Sequence, residues 1–174
     1  MRIGIDARLV HYQKAGISQY TVQLVQALAL LPGNDDFTIL QSVHDKEPII
    51  DRERFVMRHL ITPSHHRFEQ YTLPLEIAAS RVELLHSPDF IPPLKANVKS
   101  VITIHDLVFM MYPHFLTKAS ARYYGQIDQA VRRADGVIAV SQATKRDVMS
   151  LLGVPEQKIT VIHEAASAAF KPMD

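Results

Sequence analysis

The chain has 174 residues, of which 47% are hydrophobic and 21% charged, and it carries a formal net charge of +1. This balance is typical of one folded domain and excludes a disordered chain, and the scattered basic residues argue against a nucleic-acid-binding protein. There is no cysteine, so disulfides, thiolate metal sites and cysteine nucleophiles are excluded.

The N-terminal segment does not resemble a secretory signal, because Asp6 and Arg8 interrupt its short apolar run. No stretch approaches the ~20 apolar residues that a membrane-spanning helix needs. We therefore expect a cytoplasmic location, and peripheral contact with a membrane surface stays open as an alternative.

Hydrophobic periodicity and breaker residues divide the chain into alternating strands and helices. In chain order, we predict strand 1–8, loop 9–15, helix 16–31, strands 37–43 and 55–61, helix 64–80, strand 82–86, loop 88–97, strand 99–105, an irregular segment 106–113, helix 117–134, strand 136–140, helix 142–152 and strand 158–163. Several strands are apolar throughout, which indicates that both their faces are covered. The sequence therefore predicts a Rossmann-like, doubly wound α/β domain, with a mostly parallel sheet of about seven strands and helices on both faces.

Candidate N-cap residues predict where three of the helices start. Ser18 is the candidate N-cap of the first long helix and Ser64 that of the second, which Pro74 should kink or split. Either Thr117 or Ser120 caps the third long helix.

Ligands of such sheets bind beyond the carboxyl ends of the strands, where the segment 6–18 is the first candidate. Gly16, followed by Ile17 and Ser18, lets a ligand approach the free N–H groups of a helix start, which attract phosphate. A plain helix-start glycine is the commoner explanation. The spacing is not GxGxxG, which disfavours a dinucleotide-binding protein.

Two histidines, His86 and His105, each end an apolar strand at the same sheet edge. A lone histidine there is more often a satisfied hydrogen-bonding residue than a catalyst, but two make that explanation weaker. A following carboxylate, Asp89 or Asp106, can orient an imidazole. The nine histidines show no metal-ligand spacing, so no metal site is expected.

The last candidate is the helix start at Ser141 and Thr144. Helix capping is its expected local role, and an anion could share the same N–H groups. No GxSxG elbow surrounds Ser141, which argues against a serine hydrolase. The segment 110–113 and the pair 123–124 either line an acceptor groove or pack in the core.

Five segments together resemble family 4 ("group 1") glycosyltransferases in order and spacing, over residues 1 to about 172. They are IGIDAR at 3–8, AGISQY at 15–20, VITIHDL at 101–107, RADGVIAVSQATKRD at 133–147 and LGVPEQKITVI at 152–162. Two positions depart from the family pattern. Ala15 precedes Gly16 where relatives often carry two glycines, and residues 163–166 replace a common Asn-Gly pair.

The resemblance implies a retaining enzyme of the two-domain GT-B type. Residues 1–170 would be its N-terminal, acceptor-side domain, residues 171–174 the start of the interdomain linker, and the C-terminal donor-binding domain would be absent, leaving this chain inactive alone. The partners implied are that missing domain, a nucleotide-sugar donor, and a glycan or lipid-linked acceptor. The donor sugar implied is mannose, because the chain is most similar in local sequence to mannosyltransferase-like members. Neither a metal nor another cofactor is implied.

Carried over by position, Gly16 lies beside the donor diphosphate, and His105 lies near the transferred sugar as a positioning residue. His105 and Asp106 are the candidate catalytic residues, and Asp106 also orients the loop that follows. The candidates for binding the donor diphosphate or the acceptor are Gly16, Ile17, Ser18, His86, Ser141 and Thr144, of which the last two face the cleft. Two other function classes stay open. One is a non-catalytic glycan- or nucleotide-binding α/β module, and the other is a Rossmann-type dinucleotide protein.

Overall fold

A computed structural model describes residues 1–12, 15–167 and 170–171 of the chain. Residues 13–14 of the predicted loop and residues 172–174 of the predicted linker lie outside this range. The described strands are β1 (Arg2–Asp6), β2 (Asp36–Ser42), β3 (Phe55–Leu60), β4 (Leu84–Ser87), β5 (Lys99–Ile104), β6 (Gly136–Ala139) and β7 (Ile159–Val161).

These strands form one sheet in the order β3-β2-β1-β4-β5-β6-β7, and every pairing between them is parallel. The described helices are α1 (Leu9–Tyr12), α2 (Gly16–Leu30), α3 (Glu69–Ser80), α4 (Val108–Met111), α5 (Lys118–Tyr124), α6 (Ile127–Arg133) and α7 (Gln142–Leu152). Two 3₁₀ turns lie at Pro113–Phe115 and Glu156–Lys158.

The helices cover both faces of the sheet. Neighbouring residues of β2 point to opposite faces, and Ile39 packs in a cluster with Val25 of α2. Leu40 packs in a second cluster with Leu73 of α3. The all-parallel sheet with two helical layers confirms the predicted Rossmann-like fold class.

α2 begins at Gly16, as predicted, but its N-cap residue differs from the prediction. Ala15 is the N-cap, and Ser18 lies inside the helix, buried, where its Oγ donates to the carbonyl oxygen of Leu9 at 3.3 Å. The predicted loop before it contains α1, whose first residue, Leu9, is buried in the core. The buried side chain of Leu9 therefore anchors a short helix in a segment whose polar residues are typical of a loop.

The start of α3 also differs. The helix begins at Glu69 and not after Ser64, because His65 has a left-handed backbone (φ 60°) that an α-helix cannot contain. Pro74 neither splits nor ends α3. The buried side chains of Leu73 and Ile77 hold the helix against the sheet on either side of the proline.

The third predicted long helix is two short ones, α5 and α6, which meet at Gly125 and Gln126. Thr117 is the cap of α5, since its Oγ1 accepts from the N–H of Ser120 at 3.1 Å. The segment 106–113, predicted to be irregular, contains α4.

Candidate functional site

The strand order reverses direction between β1 and β4, which is where ligands of doubly wound folds bind. In register, Ile5 of β1 lies beside His86 of β4, and His86 lies beside Val101 of β5. The residues that follow these three strands therefore meet at one edge of the sheet.

A cluster of charged side chains with little solvent exposure lies at this edge of the sheet. Arg8, 1% exposed, donates to both carboxylate oxygens of Asp6 (2.9 and 2.7 Å), to Oε1 of Glu69 (2.6 Å) and to the carbonyl oxygen of Thr62 (2.9 Å). Burial opposes the charge of Arg8, but Asp6 and Glu69 outweigh it and raise its pKa. Arg8 thus stays charged and ties the end of β1 to the start of α3.

A second cluster, built on Asp89, lies beside the first. His65 Nε2 lies 2.5 Å from Asp89 Oδ2, to which the Tyr123 hydroxyl also donates at 2.8 Å, and the Phe90 N–H donates to Oδ1. Burial alone would raise the pKa of Asp89, but these hydrogen bonds and the charge of His65 lower it below its usual value. Burial, together with the Asp89 charge, raises the pKa of Tyr123 well above its usual value. Asp89 is therefore a carboxylate that accepts from a neutral phenol.

His105 directly follows β5 and is held by contacts from several segments. Its Nε2 lies 3.0 Å from the carbonyl oxygen of Pro88 and its Nδ1 2.8 Å from Oε1 of Glu164. The ring of Tyr20 meets it edge-on, at 4.9 Å between centroids, and Thr144 Oγ1 donates to its carbonyl oxygen at 3.1 Å. Both ring nitrogens therefore lie within hydrogen-bonding distance of an oxygen of the chain, which fixes the orientation of the imidazole.

A cavity of about 260 Å³ opens beside His105. Its wall is mostly aromatic and apolar, and it is lined by Ile17, Phe90, His105, Asp106, Val108, Phe109, Tyr112, Phe115, Leu116 and Tyr124. The ring of Phe109 stacks on those of Phe90 and Tyr124, with centroids 5.3 and 4.6 Å apart, and the rings of Phe90 and Tyr124 are tilted at 5.6 Å. A concave, largely apolar surface with a few polar groups at its mouth is the usual form of a small-molecule site.

The remaining predicted site residues on the α2 side divide into exposed and buried positions. Gly16 is exposed, and a Cβ atom added there would meet nothing within 4 Å. Ile17 lines the cavity beside His105, whereas Ser18 is buried and bonded to Leu9. Gly16 and Ile17 therefore lie where a ligand can reach them, and the Ser18 hydroxyl is engaged within the chain.

His86 lies inside the sheet, 8% exposed, with its Nε2 2.9 Å from Thr103 Oγ1. Burial, together with the neighbouring His105, lowers its pKa to about 4. His86 is therefore neutral near pH 7 and does not line the cavity beside His105.

Ser141 is the N-cap of α7, as predicted: its Oγ accepts from the Thr144 N–H at 3.0 Å. Thr144 is buried, and its hydroxyl links α7 to His105. Asp106 Oδ1 accepts from the Val108 N–H at 3.0 Å, which fixes the turn into α4. These contacts orient the loop around His105 from two sides.

The sequence did not predict His65 or Tyr123 as partners of Asp89, nor Phe109 and Phe115 as cavity residues. The left-handed backbone of His65 leaves no sequence signal, because such a conformation is usually marked by glycine or asparagine. Of the predicted groove residues, Tyr112 and Tyr124 line the cavity and Met110 packs on the core.

Within the described ranges, no group of three histidine, cysteine or acidic side chains is placed to hold a metal ion. Among the described helices, none combines the length and the apolar character needed to span a lipid bilayer.

The model of "Glycosyltransferase Family 4" matches residues 15–168. No curated protein matches this chain.

Solved structures similar to it include the following two. A glycosyltransferase from Rickettsia africae ESF-5 has 16% identity and a TM-score of 0.52, over 93% of this chain and 42% of its own. Phytolacca americana UGT2, complexed with UDP-2fluoro-glucose and pterostilbene, has 10% identity and a TM-score of 0.58, over 98% of this chain and 54% of its own. At these identities the likeness concerns the fold, and this chain spans about half the length of either protein.

Proposed function

Because the chain belongs to glycosyltransferase family 4, we propose that it is the N-terminal, acceptor-side domain of a retaining, two-domain GT-B enzyme. Residues 1–170 form this domain, and residues 171–174 begin the linker to a C-terminal, donor-binding domain. The complete enzyme moves a sugar from a nucleotide-sugar to an acceptor hydroxyl, and this chain alone is inactive.

One observation carries the proposal: His105 follows the carboxyl end of β5 and lines the 260 Å³ cavity together with Ile17 of α2 and several aromatic side chains. A sugar ring stacks well on aromatic faces, and its hydroxyl groups find hydrogen-bonding partners in His105 and Asp106, which also line the cavity. The exposed N–H groups at Gly16 lie on the same side, where they favour the donor diphosphate.

In this proposal His105 positions the transferred sugar and adds electrostatic stabilisation, while the leaving phosphate takes the proton of the attacking hydroxyl on the same face of the sugar. Glu164 and the Pro88 carbonyl hold the imidazole in place. Asp106 and Thr144 hold the surrounding loop. No metal or other cofactor is part of the proposal.

Mannose is the proposed donor sugar, because the sequence is nearest in style to mannosyltransferase-like members. The proposed acceptor is a glycan or a lipid-linked glycan, and the proposed location is the cytoplasm, including the membrane surface for a lipid-linked acceptor.

The test is turnover of a panel of nucleotide-sugars by this chain and by a version extended by the next ~200 residues of its gene, a typical domain length. We expect the extended protein to release nucleotide or transfer sugar, and this chain to do neither. If neither protein turns over any donor, the enzyme proposal fails, and a non-catalytic glycan- or nucleotide-binding module takes its place.

A further inference from the structure

A groove of about 690 Å³ lies between the segment that leads into α3 and the exposed face of α5. Its cations are Arg67, Lys118 and Arg122, and we call it the cationic groove. All three side chains are exposed, and none makes a hydrogen bond or ion pair with a described residue. Lys118 and Arg122 lie four residues apart on one face of α5 and extend into the groove together.

The positive charge of the cationic groove is not balanced locally. Glu69 is the one carboxylate among its described lining residues, and it is turned inward onto Arg8. The start of α3 adds the positive end of a helix dipole at the same place. Arg67 is held with its guanidinium 4.6 Å from the centre of the Phe68 ring.

The cationic groove adjoins the candidate site. His65 and Tyr123 line the groove, and both bond to Asp89 at the sheet edge. Tyr124, the next residue, lines the cavity beside His105. The left-handed backbone of His65 places its ring 3.9 Å from that of Tyr123, and such strained positions concentrate at functional sites.

We propose that the cationic groove binds a phosphate group of the acceptor, so that the acceptor hydroxyl reaches the cavity beside His105. The assignment to the acceptor rests on the proposed function, whereas phosphate binding by the groove does not. Arginine matches phosphate with two parallel N–H donors and lysine adds a compact charge, so these residues suit a phosphate better than a neutral sugar.

The direct test is binding of glycerol phosphate to this chain by calorimetry. The groove variant is R67Q/K118Q/R122Q, and the matched control is K46Q/R52Q/R146Q, which removes the same charge at exposed positions outside the groove. We expect the groove variant to lose more than ~tenfold in affinity and the control to change less than about twofold. Circular dichroism checks that all three proteins are folded.

Two results overturn the site. The first is that the unmodified chain binds neither glycerol phosphate in solution nor phosphatidic acid on vesicles. The second is that the groove variant and the control lose affinity equally, which would mean a nonspecific charge effect. Vesicles of phosphatidylcholine, with and without phosphatidic acid, distinguish a lipid headgroup from a free phosphate. Groove-dependent binding to the phosphatidic acid vesicles supports a lipid source, and groove-dependent binding of glycerol phosphate alone supports a free one.

UDP tests which substrate the groove holds. If the groove variant weakens UDP binding as much as glycerol phosphate binding, the groove holds donor phosphates, and the assignment to the acceptor is overturned. If the groove substitutions leave sugar transfer by the extended protein unchanged, the assignment to the acceptor is also overturned, while the proposed function stands. Groove-dependent phosphate binding without any transfer leaves the site standing and overturns the function.

Discussion

At the scale of single residues, burial gives the two histidines at the sheet edge different chemistry. His86 is enclosed by the sheet, so its neutral form is favoured and its hydrogen bond to Thr103 is structural. His105 is half-buried, with acceptor oxygens at both ring nitrogens and an open cavity beside it. The proposed chemistry therefore depends on His105 alone of the two.

In the extended enzyme, we expect His105→Ala to lower sugar transfer by more than ~tenfold, the size of one lost electrostatic contact in the transition state. The folded structure should survive, because His105 is not part of a strand. Steady-state kinetics and circular dichroism measure the two effects. His44→Ala, at an exposed histidine outside the cavity beside His105 and outside the cationic groove, is the control. Unchanged turnover in His105→Ala would remove this residue from the site.

The buried His86 makes stability depend on pH. The pKa of His86 is about 4 in the folded chain and 6.5 for the free side chain. The contribution of neutral His86 to the free energy of unfolding is therefore fully present above pH 6.5 and is lost as the pH falls toward 4. We expect the free energy of unfolding to fall by about 2 kcal/mol between pH 7 and pH 5 from this group. Urea titrations across this range measure it. His86→Gln should flatten the dependence, and an equally steep fall in that variant would contradict the assignment.

At the scale of elements, the strands were the predictable part of the fold, because short segments rich in β-branched residues, such as residues 101–104, leave few alternatives. The four-residue helices α1 and α4 were not predictable, since each is shorter than the window over which helical periodicity can be recognised. The break at Gly125 is likewise invisible to periodicity, because apolar side chains continue at helical spacing across it.

The contact between β1 and α3 supports a stability prediction. Arg8→Met leaves the carboxylates of Asp6 and Glu69 buried without their partner, and removing one member of a buried ion pair costs about 3–5 kcal/mol. Urea unfolding at pH 7 measures this loss. Arg58→Met, which removes a less buried arginine with one bond to the Ala79 carbonyl oxygen, should cost under about 1.5 kcal/mol. Similar losses in both variants would contradict the role of the ion cluster.

At the scale of the whole molecule, the candidate site is assembled from segments that are distant in the sequence. His105 was predictable because it follows a recognisable strand. The partners of Asp89, by contrast, come from the segment before α3 and from α5. No local pattern links these two segments, so the Asp89 cluster and the cationic groove could be found only once the sheet had brought them together.

The reversal of strand order also bears on how the chain folds as it is made. β1 pairs with β2 and β4, and β4 lies at Leu84–Ser87, far beyond β2 and β3 in the chain. During synthesis, β1 to β3 can assemble into a half-sheet while the second edge of β1 still presents unpaired N–H and C=O groups. A nascent chain is therefore most exposed to edge-to-edge association in the interval before β4 leaves the ribosome.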